Sequence, residues 1–147
     1  MTQNEAAVIL LYKRDQSFLL QLRDFIPTIR LPGHWGAFGG TIKSRESVLE
    51  GAYRELWEEI CYKPKVIGQF RKYTTGEQIL NIFFAKLEPS TTDLSLNEGV
   101  EMALFSIDKI LTGRLTSKKK GEHYPVAPIL LVILKDFLLE NPILFNN

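Results

Sequence analysis

Apolar residues fall at two spacings along this chain, and the change from one to the other divides it into elements. Ala6 to Tyr12 and Phe18 to Leu22 are nearly continuous apolar runs separated by the polar stretch Lys13 to Ser17, which predicts two strands joined by a turn. Asp24 to Pro32 reads as a loop, and Gly33 to Gly40 as a short strand ending in a tight glycine turn at Gly39-Gly40. Then the spacing becomes helical: Leu49, Ala52, Tyr53, Leu56 and Ile60 form one stripe. Ser47-Val48-Leu49-Glu50 has the form of a capping box, so Ser47 is the expected N-cap, and Pro64 forbids continuation. Lys65 to Tyr73 and Gln78 to Leu87 predict a hairpin around Thr74-Thr75-Gly76. Glu88 to Gly99 is a polar loop, Val100 to Phe105 a further strand, and Ser106 caps a short helix through Leu111. Gly113 to Glu122 reads as a flexible basic loop, and Pro125 to Glu140 as a closing helix mostly buried against the sheet. The order of strands, helix, strands, helix predicts an α/β sandwich.

Composition narrows the class without choosing a function. At 147 residues the chain is expected to be one domain, 1–147, with no repeat or linker. Its 45% hydrophobic and 24% charged residues are ordinary for a globular protein. A formal net charge of +1 offers no global field for nucleic acid or an acidic membrane, so neither is expected as a partner. One cysteine excludes an internal disulfide and fits a reducing compartment. Met1-Thr2-Gln3-Asn4-Glu5 lacks the basic and apolar regions of a signal peptide, and the most apolar run, Ala127 to Leu134, is too short for a bilayer span. The expected location is the cytoplasm.

The chemistry concentrates in the predicted helix. At about 100° per residue, Glu55, Glu58 and Glu59 share one face, where like charges repel each other. Arg54 is the only cation in the segment, and the last helical turn disfavours anions. Such a cluster becomes favourable around a hard divalent cation such as Mg²⁺. Glycines before the helix would let backbone carbonyls approach that ion closely.

These residues resemble the Nudix box, G-x5-E-x7-R-E-U-x-E-E-x-G-U, with U a bulky apolar residue. Gly40, Glu46, Arg54, Glu55, Leu56, Glu58 and Glu59 match it, and the elements on either side fit the Nudix domain. The resemblance implies an α/β/α sandwich with a mixed sheet. It implies Mg²⁺, with Mn²⁺ as substitute, on Glu55, Glu58, Glu59 and the Gly39 carbonyl. Arg54 would orient a glutamate, and Glu46 would support the loop or a more distant metal. Cys61 stands where the box has its second glycine, Arg45 replaces a common glycine, and Lys43 replaces a common acidic residue. Neither loop change removes a metal ligand.

Other residues are candidates of lower specificity. Arg23 ends a strand, where its guanidinium can reach phosphate oxygens. Glu98 and Glu101 flank Gly99 in the region where many Nudix enzymes carry a further metal ligand or base. Phe105, with Tyr73, Phe83 and Tyr124, is a candidate base or sugar contact, and Trp35 is expected in the core. Lys118 to Lys120 read as a solvated loop, and His34 and His123 lack metal-ligand spacing. The expected activity is Mg²⁺-dependent cleavage of a pyrophosphate bond in a nucleoside diphosphate linked to another moiety, a nucleotide or nucleotide sugar. Glu58, Glu59, Arg54 and Glu98 are its expected catalytic residues; Arg23, Glu46 and Phe105 are its substrate contacts. The alternative is a non-catalytic nucleotide-binding or regulatory Nudix domain, and a homodimer is compatible with either.

Overall fold

The computed structural model of the protein describes residues 4–145. In chain order the strands are β1 Asn4–Lys13, β2 Ser17–Leu22, β3 Trp35–Gly36, β4 Phe38–Thr41, β5 Gly68–Thr74, β6 Gln78–Lys86, β7 Glu101–Ser106, β8 Arg114–Thr116 and β9 His123–Pro125. The helices are α1 Val48–Ile60, α2 Ile107–Ile110 and α3 Pro128–Glu140, with 3-10 turns at Thr91–Asp93 and Pro142–Leu144. The fold is mixed α/β. Its residues form two compact units, one from the chain up to Leu11 with Phe38–Asn97, the other from Tyr12–Ala37 with the chain from Glu98 onward.

In the first unit, β1 pairs antiparallel with β4, placing Ala6 opposite Thr41, Ala7 opposite Gly40 and Val8 opposite Gly39. The expected glycine turn is therefore a strand. A Cβ on Gly39, whose φ is +147°, would lie 1.9 Å from the Ala7 carbonyl oxygen, so the glycine is there for close strand approach. The predicted hairpin is present as β5 and β6, with an irregularity between Gln69 and Lys72.

Helix α1 begins as its sequence dictates. The Ser47 hydroxyl accepts from the Glu50 amide, and the Glu50 carboxylate accepts from the Ser47 amide. It packs against β4, and its stripe residues Ala52, Leu56 and Ile60 are each 0% exposed. Leu49 departs from the expected stripe and is exposed, together with Trp57.

In the second unit, β2 pairs antiparallel with β3 and, from Ser17–Ser106 to Leu22–Glu101, with β7. Ser106 caps α2 through the Lys109 amide, as its position predicts. The stretch 113–122 is not loop throughout, since Arg114–Thr116 is strand β8. Leu115 opposes Tyr124 in the β8–β9 hairpin, and the buried Trp35 indole donates to the Leu115 carbonyl at 3.1 Å. Tyr124 and Pro125 belong to that hairpin, so α3 starts later than expected, with Pro128 in its first turn. It buries Leu130, Ile133, Leu134 and Phe137, while Val132 and Leu139 remain exposed, so it is less fully covered than its composition suggested. Phe137 meets Tyr12, Phe18 and Phe145 in tilted and edge-on contacts. Among the described residues no helix is long and apolar enough to cross a membrane.

Candidate active site

Strand β4 and helix α1 meet through the residues that carry charge. The Gly39 amide donates to Glu59 Oε2 at 2.8 Å, and Glu59 is only 2% exposed. A buried carboxylate needs such donors, because losing water disfavours its charge. One residue on, a Cβ at Gly40 would lie 2.5 Å from the Glu55 carboxyl carbon, so the absent side chain leaves the seat that Glu55 fills. The two glycines thus accommodate two different glutamates.

Arg54 holds the rest of the cluster. Its Nη1 donates to Glu55 Oε1 at 2.9 Å and to Glu58 Oε2 at 3.1 Å. Its Nη2 donates to Glu46 Oε1 at 2.7 Å and to the Thr41 carbonyl at 3.1 Å, while Nε donates to Glu46 Oε2 at 3.0 Å. The acidic face is therefore locally compensated, contrary to the sequence expectation. One guanidinium serves three carboxylates and a carbonyl, which its planar fork of five donors permits. Glu46 also accepts from the Lys43 amide at 2.8 Å, so it supports the loop before the helix, as expected. The Arg54 hydrogen bonds, followed by the Lys43 amide, pull the Glu46 pKa down to about 2. Glu46 in turn is the main influence raising that of Arg54.

The last turn of α1 has a partner that sequence reasoning missed. Asn97 Nδ2 donates to the Glu58 carbonyl at 2.9 Å, and the Asn97 amide donates to the Glu59 carbonyl at 2.8 Å. With Cys61 N on Trp57 O and Ser95 N on Ile60 O, the four terminal carbonyls are all satisfied. Asn97 lies 38 residues beyond Glu59 in a polar loop, and no local pattern marks it. Cys61 adopts φ 54° and ψ 38°, the conformation of the glycine it replaces, and Arg45 likewise has φ 68°.

Tested against a divalent cation, this donor set is chemically suitable. It offers carboxylate and carbonyl oxygens only, with the Glu55 carboxylate resting where a side chain on Gly40 would stand. Among the described residues, no three acidic, histidine or cysteine side chains are already drawn to the spacing of one ion's ligands; Arg54 lies between Glu55 and Glu58.

Of the remaining predicted residues, Tyr73 and Phe83 belong to the first unit and the others to the second. Arg23 Nε donates to the Arg30 carbonyl at 2.7 Å, a tie within its own loop. Glu98 is exposed just before β7. Glu101, paired with it as a candidate ligand or base, holds the basic hairpin. It accepts from Ser117 Oγ at 2.6 Å and from the Lys118 and Lys119 amides at 3.2 and 3.1 Å. Phe105 packs edge-on against Trp35 at 4.9 Å between centroids. Tyr124 stacks edge-on with Phe25, and Phe83 is buried. His34 Nδ1 lies against the Pro32 carbonyl, and His123 Nδ1 against Thr116 Oγ1.

Comparison with known proteins agrees with the geometry. A family model described as the NUDIX domain matches residues 1–128. No curated protein matches the chain. Among solved structures, a MutT protein from Methanosarcina mazei Go1 aligns with a TM-score of 0.71 at 24% identity, covering 94% of each chain. A MutT NUDIX hydrolase from Burkholderia pseudomallei aligns at 0.68 and 17% identity, over 92% of this chain and 98% of that one. A MutT protein from Bacillus halodurans aligns at 0.64 and 21% identity, over 90% and 80%. At these identities the likenesses speak for the fold, while the family match spans most of the sequence: the chain belongs to the Nudix family of hydrolases.

Proposed function

We propose that this protein hydrolyses a pyrophosphate bond in a nucleoside diphosphate linked to another moiety, with Mg²⁺ as its cofactor and Mn²⁺ as a substitute. The observation that carries the reading is the union of β4 and α1. It gathers Glu55, Glu58 and Glu59 on one helix face, with the buried Glu59 tied to the Gly39 amide and Glu55 seated over Gly40.

Glu55, Glu58, Glu59 and the Gly39 carbonyl would hold the cation. When bound, it neutralises charge on the phosphate oxygens and lowers the pKa of an attacking water. The residues do the positioning. Arg54 fixes Glu55 and Glu58 from one guanidinium, and Glu46 fixes Arg54. Glu58, with 45% side-chain exposure, can accept a proton from solvent water. Water oxygen bonds to phosphorus, the bridging P–O bond breaks, and the leaving phosphate takes the electron pair. Glu98 is a second candidate for the proton-accepting role.

A screen of nucleoside triphosphates, oxidised nucleotides, nucleotide sugars and dinucleoside polyphosphates tests this, with Mg²⁺, Mn²⁺ or a chelator. Release of a nucleoside monophosphate or phosphorylated fragment, dependent on the cation, is expected. Tight binding of a nucleotide with no turnover would favour the non-catalytic alternative.

A further inference from the structure

We propose that Lys43 and Arg45, in the loop between β4 and α1, bind a substrate phosphate that lies outside the scissile pyrophosphate. They would thereby select longer phosphate chains over nucleotide sugars. The proposal rests on the hydrolase reading above and extends it to residues that the acidic cluster does not use.

Three observations lead there. First, the loop is fastened to the acidic face at both ends. Arg54 donates to the Thr41 carbonyl and to Glu46 from the same guanidinium that bonds Glu55 and Glu58. Lys43 and Arg45 lie between those anchors. Second, both are exposed, and among the described residues neither head group forms an ion pair, although Glu46 is a direct neighbour of Arg45 in sequence. Glu46 is satisfied by Arg54 and by the Lys43 backbone amide, which leaves the ammonium and the second guanidinium facing solvent. Third, Arg45 sits at φ 68°, where glycine rests without strain and an L side chain does not. A charged side chain held there against its backbone preference points to a use for the charge.

The chemistry fits an anion. A guanidinium grips phosphate oxygens at two points, and a nearby ammonium adds a compact point charge. Four carboxylates stand close by, so an anionic substrate approaching the face gains most from cations that those carboxylates have not already neutralised. A nucleotide sugar has only the two phosphates of the scissile bond. A nucleoside triphosphate or dinucleoside polyphosphate has a further phosphate to place beside the loop.

Steady-state kinetics on an NTP, a dinucleoside tetraphosphate and a nucleotide sugar separate this from a structural role, using wild type, Arg45→Gly, Arg45→Lys and the double variant Lys43→Ala/Arg45→Gly. Arg45→Gly is expected to melt at a higher temperature, because the backbone strain is relieved. It should nevertheless raise KM for the polyphosphates about fivefold or more with little change in kcat. KM for the nucleotide sugar should not move, and Arg45→Lys should recover part of the loss. The salt dependence of the polyphosphate KM should flatten in the double variant. Calorimetric binding of inorganic tripolyphosphate without metal, to wild type and Arg45→Gly, reads the loop independently of turnover. Weaker binding by the variant with no hydrolysis of any substrate would leave the loop assignment standing and defeat the hydrolase reading. Equal tripolyphosphate affinity in the two proteins would overturn the proposal, as would a KM rise shared by polyphosphates and nucleotide sugar.

Discussion

The Gly39 amide and Glu59 Oε2 lie 2.8 Å apart, so a strand amide holds the carboxylate of a buried helix residue. That contact sets the first expectation. Glu59→Gln keeps the shape and an oxygen to accept from Gly39, and removes a buried charge. The metal-free variant should therefore be at least as stable as wild type. Mg²⁺ should raise the wild-type melting temperature more than that of the variant, since a ligand of the folded state stabilises by mass action. Equal shifts at matched ionic strength would place the cation elsewhere. Glu58 differs: its pair with Arg54 is half exposed, and its loss should cost only about 0.5 kcal/mol.

Gly40→Ala probes the seat of Glu55. The new Cβ would fall 2.5 Å from the Glu55 carboxyl carbon, so that side chain must move. The expected result is a cost of about 1–3 kcal/mol and a large fall in kcat, read by denaturant melts and turnover. Normal activity in a well-folded variant would mean that Glu55 needs no fixed position.

Cys61→Gly should raise stability by about 0.5–1 kcal/mol. It removes the left-handed penalty of about 1–2 kcal/mol and gives part of that back through a more flexible unfolded chain. Activity should be kept, because Cys61 caps the C-terminal end of α1 through its backbone, and its side chain is not one of the groups assigned to the cation or the proton transfer. A large loss of activity with unchanged metal affinity would assign the thiol a part in the chemistry.

Asn97→Ala tests how firmly the last turn must be held. Removing the Nδ2 donor leaves the Glu58 carbonyl without its partner and should cost about 1 kcal/mol. Turnover should fall as the two glutamates lose register. An unchanged melting temperature would show that water replaces the side chain fully.

Acid titration isolates Glu46. Its carboxyl is held at about 2 against an ordinary value of 4.5, chiefly by the Arg54 hydrogen bonds. A depressed carboxylate contributes stability that is present above its unfolded pKa and is lost as pH falls through the folded one. Wild type should lose its advantage over Glu46→Gln between pH 4.5 and about 2. Parallel acid curves for the two proteins would contradict the clamp.

What was legible in the sequence was what neighbours in sequence decide. Ser47 and Glu50 are three residues apart, so the capping box and the start of α1 could be read directly. The same holds for Ser106 at α2 and for the β5–β6 hairpin. The Nudix pattern identified the acidic face for a similar reason, since its spacing is that of one helix. The misreadings have non-local causes. Gly39-Gly40 looked like a turn because glycine marks turns locally, whereas here the Ala7 carbonyl and the Glu55 carboxylate claim the space. The β8–β9 hairpin hid in a basic, polar stretch that Trp35 and Glu101 organise from far along the chain. Arg54 was counted as one cation against three anions, and only the fold reveals that its fork reaches Glu46, Glu55 and Glu58 together.

The most direct test of the central claim is Mg²⁺-dependent turnover by wild type, Glu58→Gln and Glu59→Gln on the best substrate of the screen. Amide replacement keeps size and removes the charge that would hold the cation, so each variant should lose at least about tenfold in kcat with its fold intact. Near-normal turnover by both variants would contradict the assignment of this helix face as the catalytic site.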